Sequence, residues 1–179
     1  MHIVVRPLRR AGRDNVRSEV PAMVLATALL LAQSFFGTLP IDGIRCDRDE
    51  GALEHLHVNL QLYERGRPVP VPANVGIPQG SNCLYWLHTH GSDGFIHIES
   101  PVKRTFDLGE FFDIWGPELS WTKAASVTAP HGGRLSIWVD GTPWRGSDPR
   151  TIPLRDRETI VIQSGPPFAK PARPDWSQV

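Results

Sequence analysis

Two stretches of alternating apolar and polar residues dominate the chain. In Glu54–Tyr63 (EHLHVNLQLY), Leu56, Val58, Leu60 and Leu62 fall on one face of an extended strand. His55, His57, Asn59 and Gln61 fall on the other, because successive strand side chains point to opposite faces. The second stretch is Cys83–Pro101 (CLYWLHTHGSDGFIHIESP). Here Tyr85–His90 and Phe95–Glu99 flank Gly-Ser-Asp-Gly, which predicts a hairpin with its turn on Ser92-Asp93. That register pairs Gly91 with Gly94 and His90 with Phe95. It also sets His88 opposite His97, and Trp86 opposite Glu99. His88 and His90 share a face, as do His97 and Glu99, while Leu87, Ile96 and Ile98 form an apolar face suited to a core.

Other elements follow from punctuation. Arg65-Gly-Arg-Pro turns the chain, and Val69–Val75, with two prolines, is at best an edge strand. Asp107-Leu-Gly-Glu110 has the form of a capping box. Leu108, Phe111, Phe112 and Trp115 follow at helical spacing, and Gly116-Pro117 ends the helix. Leu135, Ile137 and Val139 alternate with Arg134, Ser136 and Trp138 before an Asp140-Gly141 turn, and Thr159–Gln163 is a late strand. The expected fold is mainly β: a single antiparallel sandwich or barrel-like domain with one short helix, preceded by an N-terminal hydrophobic leader helix. The expected boundaries are 1–37 for the leader, 38–165 for the β-rich domain and 166–179 for a Pro-rich tail, disordered or loosely docked.

Charge changes this picture at the N-terminus. The chain is formally neutral, but Arg6, Arg9, Arg10, Arg13 and Arg17 precede an uncharged run from Val20 to Ile41. A positive flank before a short apolar stretch is the layout of a secretory signal, cleaved or retained as a membrane anchor. The rest of the chain carries 14 basic and 17 acidic residues, which argues against nucleic acid as a partner. Export puts the body outside the cytoplasm. There the two cysteines, Cys46 and Cys83, are most simply a disulfide. The rival role, Cys83 as a thiolate ligand, is disfavoured because a regular strand points it away from His88.

The chemistry lies in the histidines. Three rigid segments carry His55 and His57, His88 and His90, and His97 with Glu99. Neutral imidazoles from rigid elements, with a carboxylate nearby, are what a borderline metal ion needs. Glu99 has three available roles: a ligand, a partner that orients an imidazole, or a surface carboxylate. His131 reads as a loop residue, and His2 falls in the leader. Met1 and Met23 also fall there, so the body lacks thioethers for a soft Cu(I) site. The expected cofactor is a divalent transition metal, copper or zinc ahead of iron or manganese. The chain carries no Gly-x-Ser-x-Gly nucleophile motif and no phosphate-binding loop. Glu99, Glu54 and a spare histidine are the candidate acid–base groups of a metal-dependent oxidoreductase or hydrolase. A further alternative is an envelope interaction domain whose histidines are structural.

The segments GRPVPVPANVGI, CLYWLHTHGSDGFIHIESP and TFDLGEFFDIWG together resemble a family of exported or membrane-anchored bacterial and archaeal proteins, over roughly Ile41 to Gly165. Its members commonly read His-Thr-His-Asp where this chain has His-Thr-His-Gly91. The resemblance implies an extracytoplasmic β-rich domain and no particular substrate. A looser similarity to cupins rests on His-x-His pairs on strands; the cupin Glu and late His are not matched.

Overall fold

The computed structural model of the protein describes residues 38–51 and 53–179. Residues 1–37, the expected leader, with Met1, His2 and Met23, lie outside the described residues. In chain order the elements are β1 (Cys46–Asp47), β2 (Glu54–Glu64), β3 (Arg67–Val69), β4 (Leu84–Tyr85), β5 (Leu87–His88), β6 (Phe95–Ser100) and β7 (Phe106–Asp107). The helix α1 (Leu108–Trp115) follows, then β8 (Lys123–Ala124), β9 (Val127–Thr128), β10 (Ser136–Val139), β11 (Thr142–Pro143), β12 (Pro153–Leu154) and β13 (Glu158–Ser164). The described residues are mainly β, as expected, and form one seven-stranded sheet and three two-stranded ribbons.

That sheet is ordered β11-β10-β13-β2-β6-β5, with β3 also paired to β2. Its long middle strand is β2, the segment with the cleanest alternation. β6 pairs with the first half of β2, from Glu54 opposite Ser100 to Asn59 opposite Phe95. β3 pairs with the last residues, through a tight turn in which Arg65 and Gly66 both take positive φ. Where β6 begins, Gly94 has φ +83° and donates no side chain: a Cβ there would come within 2.2 Å of the Leu60 carbonyl oxygen. Only glycine lets β6 start so close to β2, and this fixes where His97 falls.

The expected antiparallel architecture needs correction. β13 runs parallel to β2, from Glu158 beside Val58 to Ser164 beside Glu64. Period-two alternation carries no strand direction; direction is set by the connection. The chain between β2 and β13 runs through α1 and three antiparallel strand pairs, β5–β6, β8–β9 and β10–β11, ample length for a crossover. The main sheet is also open, with β11 and β5 at its edges, so it does not close into a barrel.

One face of the sheet builds the core. Val58, Leu60, Leu62, Ile96, Ile98, Leu87, Ile137, Ile160 and Ile162 are buried there with Phe106, Leu108, Phe111 and Phe112 of the β7–α1 segment. α1 forms as its sequence predicts: Glu110 Oε2 accepts from the Asp107 backbone N–H at 2.8 Å, and Gly116 closes the helix in the left-handed conformation.

The opposite face divides in two. Over Asn59, Gln61 and Tyr63 the tail docks rather than staying disordered. Gln61 Nε2 donates to the Ala172 carbonyl at 3.0 Å, the Ala172 N–H donates to Gln61 Oε1 at 3.0 Å, and Ala169 N–H donates to Gln163 Oε1 at 3.0 Å. Trp176 meets Phe95 edge-on, with centroids 5.3 Å apart. Prolines cost the tail little ordering entropy, and side-chain amides give its backbone partners. The other half of this face carries the histidines.

Candidate metal centre

Three adjacent strands deliver the cluster. β6 lies between β2 and β5, and His57, His97 and His88 stand in one row across them. In the next row His55 opposes Glu99. The His88–His97 pairing is the one expected from the sequence. Leu87 opposite Ile98 and the Glu99 N–H bond to the Trp86 carbonyl at 2.8 Å keep the expected register, but the turn half of the hairpin is not formed: pairing stops at His88, so His90 does not pair with Phe95 nor Gly91 with Gly94. Thr89 explains this. Its backbone N–H donates to the Val75 carbonyl at 3.0 Å and its Oγ1 donates to the Pro72 carbonyl at 2.8 Å, which draws the chain away from β6. Gly76 makes room on that side, since a Cβ there would lie 2.5 Å from the Leu87 carbonyl oxygen.

The rings converge. Centroid distances are 5.4 Å for His88–His97, 4.8 Å for His88–His90, 4.6 Å for His90–His97, 4.7 Å for His57–His97 and 4.9 Å for His55–His57. Two groups have donor atoms close enough to share an ion: His88, His90, His97 and Glu99, and His55, His57 and Glu99. His88 is fully buried and Glu99 is 4 % exposed, whereas His55 and His90 are open to solvent. Of the three roles open to Glu99, the surface carboxylate is therefore overturned. Among the described residues His131 joins neither group and lies in an exposed turn. Glu54 points elsewhere, into a hollow lined by Lys103, Arg104 and Arg155.

Hydrogen bonding prepares His88 as a ligand. Its Nδ1 lies 2.9 Å from the Tyr85 carbonyl oxygen, an acceptor only, so Nδ1 carries the proton and Nε2 presents its lone pair. An imidazole tied by one nitrogen to a backbone carbonyl is the usual arrangement of a metal-ligating histidine. Nε2 of His88 then stands 3.2 Å from His90 Nε2 and 3.9 Å from Glu99 Oε2. Glu99 Oε1 is 3.4 Å from His55 Nε2 and 3.7 Å from His97 Nδ1. With metal–ligand bonds near 2.0–2.1 Å, the edge of a coordination tetrahedron is about 3.3–3.4 Å. The observed separations bracket that value. Glu99 Oε2, meanwhile, is buried and accepts no hydrogen bond.

Protonation favours ligation. Burial holds His88 down at about 4, against the pull of its hydrogen bond to Tyr85. Burial, helped by the surrounding imidazoles, holds His97 at about 3. His57 is lowered by burial and then by His55. These rings are neutral at pH 7, the form that binds a metal. Burial, then the nearby Glu50 carboxylate, raises Glu99. Glu50 is absent from the sequence-derived set. The signal for it was indirect: it follows Cys46, whose disulfide partner leads into the histidine strand.

Cys46 and Cys83 form that disulfide, with Cα atoms 5.3 Å apart, so Cys83 is no thiolate ligand. β1 and β4 pair around it. Asp47 Oδ2 accepts from Trp86 Nε1 at 2.8 Å, and the Trp86 carbonyl accepts from the Glu99 N–H at 2.8 Å. The cross-link thus braces the strand edge that carries Glu99. Trp86 packs in the core, and Tyr85, which donates its hydroxyl to the Leu39 carbonyl at 2.7 Å, lines a hollow with Val75, Ile114 and Trp115.

Comparisons with protein-family models, curated proteins and solved structures find no match to this chain.

Proposed function

We propose that this is an extracytoplasmic transition-metal-binding protein, acting in metal handling or sensing. The ion is held by His88, His90, His97 and Glu99. The observation that carries this reading is the buried Glu99 Oε2, without a hydrogen bond, 3.9 Å from the unprotonated Nε2 of His88, which itself lies 3.2 Å from His90 Nε2. A buried carboxylate oxygen without a donor costs free energy that a cation would recover. Convergence of the rings speaks against purely structural histidines.

The donor set, imidazole with one carboxylate and no thiolate or thioether, suits zinc or Cu(II), and iron or manganese less well. The exposed His55 and His90 leave one side of the centre open to water, which is what favours a metal-dependent oxidoreductase or hydrolase as the second reading. Export is supported by the disulfide and by the basic, then apolar, N-terminal sequence. Among the described residues no helix is long and apolar enough to cross a membrane.

Elemental analysis of protein purified from an exported compartment tests the assignment. The native chain should carry stoichiometric metal, and the His88→Ala, His97→Ala double variant should lose it. A native protein without stoichiometric metal, before and after incubation with zinc or copper, overturns the reading.

A further inference from the structure

One ion does not use all the donors on this face. Five imidazoles and a carboxylate exceed the four ligands of a tetrahedral site. They divide into two groups whose one shared member is Glu99. β6 carries His97 and Glu99 along the middle, with His88 on β5 to one side and His55 and His57 on β2 to the other. The two oxygens of Glu99 reach both groups: Oε2 is 3.9 Å from His88 Nε2, and Oε1 is 3.4 Å from His55 Nε2 and 3.7 Å from His97 Nδ1. His97 stands between the groups, its ring 4.7 Å from that of His57 and 5.4 Å from that of His88.

We propose that the face binds two divalent transition-metal ions bridged by the Glu99 carboxylate, one with His88, His90 and His97, the second with His55 and His57. The inference rests on the metal-binding reading above. Neighbouring strands are about 4.8 Å apart, so ions held on either side of β6 stand about one strand spacing apart. That is close to the roughly 3.5–4 Å between paired ions in two-metal sites. The buried, unpartnered Oε2 and an Oε1 that lies 3.4 Å from His55 Nε2 are what a bridging carboxylate requires, one oxygen for each ion. The second site has three protein donors and lies at the exposed end of the cluster, so water or a small anion completes its coordination.

Stoichiometry tests this. The full chain, stripped by chelation and dialysed against Zn(II), should hold two equivalents per chain. His55→Ala with His57→Ala removes side chains from outside the core and should leave one, with the far-ultraviolet circular dichroism spectrum unchanged. In the Cu(II)-loaded native chain, coupling through Glu99 should reduce the paramagnetic resonance signal per copper. Glu99→Gln should restore it or reduce the stoichiometry. One equivalent in the native chain, kept by the His55, His57 variant and lost with His88 and His97, overturns the second site and leaves the single-ion reading standing. Two equivalents unaffected by the His55, His57 variant also overturns it. No bound metal in the native chain overturns both.

Discussion

His88 Nε2 and Glu99 Oε2 face each other across 3.9 Å, both on buried side chains, with no hydrogen bond between them. The gap is too long for a hydrogen bond and close to the distance between two ligands of one ion. An ion that enters the gap binds the folded chain alone, since the unfolded chain does not group these donors. Zinc should therefore raise thermal stability, by about 2.7 kcal/mol when free metal is a hundredfold above Kd. Differential scanning calorimetry with and without zinc checks this. The His88→Ala, His97→Ala variant should show a smaller zinc-dependent shift, carried by the remaining His55, His57 and Glu99 donors.

Glu99→Gln should have effects of opposite sign. In the metal-free protein Glu99 is a buried carboxylate whose pKa is raised by burial and by Glu50, so its ionised form costs stability at pH 7. The amide removes that charge and should stabilise the apoprotein by about 1 kcal/mol. The same change should weaken zinc binding tenfold or more, because a neutral amide oxygen is a poor ligand. Urea titration of the apoprotein and calorimetric titration with zinc measure the two effects separately.

The apoprotein should lose stability in mild acid. His88 is held at about 4 in the fold against an ordinary value of 6.5, so below pH 6.5 the unfolded chain binds a proton that the folded one refuses. Stability then falls as pH drops, reaching a loss of roughly 3 kcal/mol at pH 4 from this one ring. His97, held at about 3, acts in the same direction. Glu99, raised, acts in the opposite one and offsets part of the loss. Urea midpoints with chelator present, at pH 7 and pH 4.5, should differ accordingly. Replacing His88 should flatten the dependence.

Breaking the Cys46–Cys83 bond frees a segment with a sequence separation of 37. Loop-closure entropy puts the loss at roughly 3–4 kcal/mol. Cys46→Ser with Cys83→Ser should lower the free energy of unfolding, read from urea titration, by that amount. It should also weaken metal binding, because the Asp47–Trp86 contact that braces Glu99 lies next to the bond.

Much of this was legible in the sequence, for identifiable reasons. β2, the His88–His97 pairing and the capped helix are local patterns with a fixed period or spacing, so residue order encodes them directly. The convergence of His55 and His57 on the other rings was legible as the economical arrangement of two half-buried strands. Three things were not legible. The direction of β13 depends on the path of the whole intervening chain. The early divergence at Thr89 depends on contacts with Pro72 and Val75, which no alternation marks. The approach of Glu50 to Glu99 depends on a disulfide that folds an irregular segment back over the sheet edge.

The parallel pairing of β13 with β2 bears on the order of events as the chain is made. All the donor residues lie between His55 and Glu99, whereas the closing strand begins at Glu158. With synthesis proceeding from the N-terminus, the donors emerge about 60 residues before their sheet can be completed. Bringing β6 onto β2 closes a short stretch of chain, and bringing β13 there closes a long one, so the first step is the less costly in entropy. Loop closure therefore favours grouping the three histidine strands ahead of the rest of the sheet, wherever the chain folds.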